Sequence, residues 1–177
     1  MKKIVICILL FIAFLIIYLI QAMFFTNFRI AGIMPNLFVI LMLYIGLYMG
    51  KSSGIIYGII FGIFIDIWIG KKLGMTSIAL AIIGFIGGIF DKNFSKDSRI
   101  TVMFMGVICT ILYEIVFYLI QYLIVKVNLE IIEFIKIVLI ETVYNLLLIV
   151  ILYPLMKITG YWIEDEIKGD KILTRYF

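Results

Sequence analysis

Six acid or amide side chains sit inside long apolar runs: Gln21, Asp66, Glu114, Gln121, Glu141 and Asn145. Groups at such depth could be structural glue, protonated carboxyls bonded to amides, tyrosines and backbone, or could line a polar cavity for a ligand or a partner helix. An acid at the centre of a membrane helix costs about 2.5 to 3.5 kcal/mol on insertion scales, so it must be offset by hydrogen bonds, protonation or water. Glu114 and Gln121 are seven residues apart and share a helix face, and Glu141 and Asn145 form an i, i+4 pair. The four are expected to face one another in a polar interior. Catalysis has little to work with. The chain has no histidine, which removes the commonest general base and metal ligand. Asp66 is the sole aspartate within a run, and Ser52, Ser53 and Ser77 have no base near them in sequence. Cys7 and Cys109 stand alone in apolar surroundings, without metal or redox spacing. No enzyme activity, metal or cofactor is expected.

The elements that position these groups are apolar runs at about 4–25, 35–50, 54–70, 73–90, 100–125 and 134–156. With 66% hydrophobic residues, 15% charged residues and a mean hydropathy of +1.26 over 177 residues, the composition lies far from the roughly 45 to 50% apolar content of soluble domains. An all-α polytopic membrane protein follows, a single bundle of six transmembrane helices with a short tail at 157–177. A full crossing takes about 20 residues. The second and third runs are shorter, so either Ser52 and Ser53 lie near the interface or both helices sit in a locally thinned, protein-lined region. The first run, behind Lys2 and Lys3, has no cleavage site after it and is read as a retained anchor.

Basic residues set the orientation. With the N-terminus inside, one side carries Lys2, Lys3, Lys51, Lys92, Lys96, Arg99, Lys157, Lys168, Lys171 and Arg175, whereas the other carries Arg29, Lys71, Lys72, Lys126 and Lys136. The asymmetry places both termini in the cytoplasm. The net charge of +4 is then that of loops beside a bilayer, with no nucleic acid required. The tail mixes acids and bases with Tyr161, Trp162, Tyr176 and Phe177, a composition suited to an interfacial anchor or, on a sharper reading, to docking of a cytoplasmic partner.

The third run carries the most regular pattern. Gly54, Gly58, Gly62, Asp66 and Gly70 recur every four residues. Positions four apart advance only about 40° around a helix, so these residues form one slowly winding face. Small residues there allow the backbone of another helix to approach closely, the usual basis of helix association in lipid. Asp66, on the same face, is expected to accept backbone N–H bonds from the Leu73-Gly74 turn at the start of the fourth helix.

In order, Pro35, Asn36 and Leu37, the glycine ladder, Asp66 and Gly70, Leu73 with Gly74, and then Gly84, Gly87 and Gly88 resemble the MreD family of rod shape-determining proteins. The resemblance covers essentially the whole chain, with its specific part at about 35–88. It implies a bacterial inner-membrane, non-enzymatic subunit of the elongation machinery that binds MreC and helps couple the MreB cytoskeleton to RodA and its class B penicillin-binding protein. It also implies that Pro35, Asn36, Gly54, Gly58, Gly62, Asp66, Gly70 and Gly74 serve helix packing or partner binding. The family is similar in helical arrangement to the vitamin-binding subunits of energy-coupling factor transporters, which supplies the alternative function. The paired alanines of their first helix are missing here: Ala13 is followed at that spacing by Ile17, and Ala22 by Thr26.

The orientation is open to a direct test. In a chain whose Cys7 and Cys109 are serine, a cysteine at Asn93 should react with an impermeant maleimide only after the membrane is opened. Labelling from outside intact cells would reverse the topology.

Overall fold

The computed structural model describes residues 2–70, 72–126 and 130–168. They form six helices: α1 (Lys2–Leu19), extended by a π-helical stretch at Ile20–Phe24, α2 (Leu37–Met49), α3 (Lys51–Ile69), α4 (Met75–Asn93), α5 (Arg99–Val125) and α6 (Ile131–Lys168). Five are long and apolar enough to cross a membrane, and α2 is shorter.

α2 is the centre of the molecule. At 13 residues it rises only about 20 Å, well short of the roughly 30 Å hydrocarbon layer. Twelve of its residues, Leu37 through Tyr48, are buried. An all-apolar helix without a polar face is stable only when surrounded on every side, and here the other elements surround it.

The glycines of α3 meet α4 backbone to backbone. A Cβ added at Gly58 would lie 2.6 Å from both N and Cα of Ala81, and one at Gly62 would lie 2.6 Å from the nitrogen of Ser77. Gly54 faces Gly84 in the same way. The seam extends to α2, where a Cβ on Gly46 would lie 2.8 Å from Gly87 Cα and Gly88 N. Three helices thus share one junction of small residues, and the Ser77 hydroxyl adds a hydrogen bond across it to the Ile59 carbonyl at 3.1 Å.

Two ladder members depart from the expected seam. A Cβ added at Gly70 or Gly74 would meet nothing within 4 Å; they take positive φ values of 71° and 98°. The helix ends at Ile69, and Gly70 closes it with its N–H on the Asp66 carbonyl. These glycines are turn residues, placed where an L side chain is strained.

α1 attaches by a stripe of Ile6, Leu10 and Phe14, each at most 3% exposed. Phe14 stacks on Phe61 of α3 with ring centroids 4.3 Å apart, and Tyr18 lies against Trp68 at 4.5 Å. α6 is longer than its apolar run. That run ends near 156 as expected, and the backbone stays helical through Lys168, where the sequence offers no reading of the tail's backbone; of that tail only 169–177, including Lys171, Arg175, Tyr176 and Phe177, lies outside the described residues. Between α3 and α4 runs an open apolar groove of about 780 Å³, lined by residues such as Ile55, Ile59, Ile78 and Phe85.

Replacing Gly58 by leucine forces a branched side chain into backbone. Overpacking of this kind costs about 1 to 3 kcal/mol, so Gly58→Leu and Gly62→Leu should lower the yield and the melting temperature of detergent-purified protein. The same substitution at lipid-facing Ile56, which is 55% exposed, should not. Unchanged melting of both glycine variants would show that the seam opens freely.

Candidate functional site

Three polar assemblies interrupt the apolar bundle. The first holds the head of α2. The Gln21 side chain on the π-helical stretch donates from Nε2 to the Pro35 carbonyl, and its Oε1 accepts from Leu37 N–H at 3.2 Å. Asn145 of α6 accepts the Asn36 N–H at 2.7 Å and donates to Thr110 of α5 at 3.1 Å; Thr110 in turn donates to the Gly106 carbonyl at 2.9 Å. The first turn of a helix presents N–H groups without helical partners, and Asn36 supplies no side-chain cap of its own. Two amides from other helices therefore do the work. Around them lie Glu141, which interacts with Glu114, Asn36 and Asn145, and Tyr113, which interacts with Asn36 and both glutamates. Glu114, Glu141 and Asn145 are 9%, 6% and 1% exposed. Glu114, Glu141 and Asn145 thus come together, with Asn36 added to them. Gln121, two turns along α5, is half-buried and has no hydrogen bond to this cluster among the described residues.

The second assembly is Asp66. Its carboxylate is fully buried and accepts Gly74 N–H at 2.9 Å and Thr76 N–H at 3.1 Å. Gly74 precedes α4 and has no side chain with which to cap it. Asp66 supplies from the neighbouring helix the oxygens that a local cap would normally offer to the second helical N–H. The contact expected between Asp66 and the Leu73-Gly74 turn is present.

The third assembly lies at the opposite end, at the turn between α4 and α5. Lys96 pairs with Asp91 of α4 at 2.7 Å and with Glu164 of α6 at 2.6 Å. Its ammonium also donates to the Leu47 carbonyl near the end of α2 at 3.3 Å and stands 5.0 Å over the Tyr48 ring. Asp97 beside it accepts from Tyr161 Oη at 2.7 Å and pairs with Lys157 at 3.3 Å, while the Tyr153 hydroxyl donates to the Asp97 carbonyl. The Tyr161 hydrogen bond, followed by Lys157, holds the Asp97 carboxyl below its ordinary pKa. A lowered carboxylate value favours the folded state at neutral pH, and that contribution is lost as pH falls through it. Asp97 is largely solvated, so the effect is small.

Sequence reasoning missed Gly46, Gln21's role and the Lys96 clamp. A lysine in a short polar loop reads as a solvated charge, and its partners are 5 and 68 residues away. Chemically, the three assemblies hold helix ends and join elements. Among the described residues no three His, Cys, Asp or Glu side chains come close enough to hold a metal ion.

A multi-pass helical membrane bundle, with its polar groups turned inward to lock one buried short helix, is the class of protein that this fold defines. Residues 1–159 match the family described as rod shape-determining protein MreD. The chain belongs to that family, and its role lies in determining rod shape. No curated protein and no solved structure matches it.

Asp66→Ala would leave the buried Thr76 N–H and the half-buried Gly74 N–H without their acceptor, and an unmet buried donor costs about 1 to 3 kcal/mol. Asp66→Asn keeps one acceptor oxygen. Thermal unfolding in detergent should therefore show a clear drop for alanine and a smaller one for asparagine. Equal melting of all three proteins would show that the α4 start is held by other contacts.

Proposed function

We propose that this protein is a non-enzymatic scaffold of the bacterial elongation machinery, a subunit of the cytoplasmic membrane with both termini inside. It binds MreC and, through it, helps couple the MreB cytoskeleton to peptidoglycan synthesis by RodA and its class B penicillin-binding protein. The observation that carries this reading is the family match over residues 1–159. It is supported by an architecture in which buried carboxylates and amides engage protein groups, as in Asp66 with α4 and Asn145 with Asn36. Scaffolding needs a stable surface of fixed shape, and internal bonding of this kind provides one.

Co-expression of a tagged chain with MreC tests the reading, together with rescue of cells depleted of their own MreD. MreC should co-purify, and rod shape should return. Normal abundance in the membrane with neither co-purification nor rescue would overturn it.

A further inference from the structure

α6 is 38 residues long, about 57 Å at 1.5 Å per residue, nearly twice the hydrocarbon thickness. Its exposed side chains show where the hydrocarbon lies. Exposed Glu133 and Lys136 stand near its start, and Lys157, its side chain 40% exposed, marks the other limit. Between them residues 137–156 expose only apolar side chains, including Leu139, Val143, Leu147, Ile151 and Leu155. Those twenty residues rise about 30 Å, the full hydrocarbon layer.

The apolar stripe nevertheless continues. Ile158 is 74% exposed and Trp162 47% exposed, at the same helical spacing and beyond the Lys157 limit. The opposite face of these turns packs inward: Ile163 is buried, Gly160 lies against the Tyr48 ring, and Glu164 grips Lys96. Asp97, 66% exposed, pairs with Lys157 at this level. The last turns of α6 therefore carry an ion-paired face toward the bundle and, outward, the apolar Ile158 and Trp162 beside exposed Thr159 and Asp165, at a depth where charged groups are solvated.

We propose that Lys157–Lys168 forms an interfacial arm seated in the headgroup layer of the leaflet on the side of the α4–α5 turn, with Ile158 and Trp162 immersed at the boundary between headgroups and acyl chains. The occupant of this face is the phospholipid surface. Its apolar stripe is continuous with the lipid-facing stripe of 139–155, and tryptophan favours that layer. The Lys96–Glu164 pair sets the arm's position from the bundle side.

With Trp68→Phe, Trp162 is the sole tryptophan. In vesicles of phosphatidylcholine brominated at different depths, its emission should be blue-shifted, and bromines near the headgroup end of the chain should quench it more than deep ones. Water-like emission that iodide quenches and bromines do not would overturn the proposal. So would a blue-shifted emission insensitive to both, which marks a protein contact, or strongest quenching by the deepest bromines, which marks a longer membrane span. Should Trp68→Phe fail to fold, the difference between the wild-type signal and that of Trp162→Phe gives the same readout.

Discussion

α2 is solvated by protein instead of lipid, and the rest of the molecule is arranged to make that possible. A buried helix must have its terminal backbone groups met by named partners, because neither water nor lipid can meet them. Gln21 and Asn145 meet its first turn, and Lys96 bonds the Leu47 carbonyl near its last. These three side chains come from the π-helical extension of α1, from α6 and from the α4–α5 turn. Packing alone would bring those elements together in several registers. The polar bonds select one, since a slip by a single turn would leave buried donors unpaired.

The small-residue junction supplies the complementary half. Where Gly46, Gly54, Gly58, Gly84 and Gly87 meet, contact is made by main chain. Dispersion between closely approached backbones replaces the hydrophobic effect that lipid does not provide between helices. No rotamer freedom is lost at such positions, so the gain is not offset by side-chain ordering.

Much of this was legible in the sequence where the partners are local. The four-residue glycine spacing announces a close-packed face, and Asp66 lies eight residues from the Gly74 N–H that it accepts, near enough for the turn after Ile69 to fold the start of α4 back onto it. The ladder misleads only at its end. The period continues to Gly70 and, one step on, Gly74, but the helix stops at Ile69, and there glycine serves positive φ instead of contact. Long-range partners were legible as polar residues but not as pairs. Asn145 is evident as an amide in an apolar run, whereas its bond to Asn36 spans 109 positions. Gly46 stands on the same four-residue spacing, with Gly50 between it and Gly54, but the chain turns at Gly50, so Gly46 belongs to α2 and not to the α3 face; its approach to Gly87 and Gly88 shows only in the fold. Lys96 was hidden for a different reason. Loop lysines are almost always solvated, and only the fold shows that Tyr48, Asp91 and Glu164 enclose this one.

The shortness of α2 has a mechanical consequence. A membrane helix is ordinarily stretched or tilted by the thickness of the bilayer around it. α2 has twelve buried residues of its thirteen, and it meets α4 through close main-chain contact, as α4 in turn meets α3. Variation in bilayer thickness therefore acts on the helices with exposed apolar side chains, α1, α3, α4, α5 and α6, and reaches α2 only through its contacts with them.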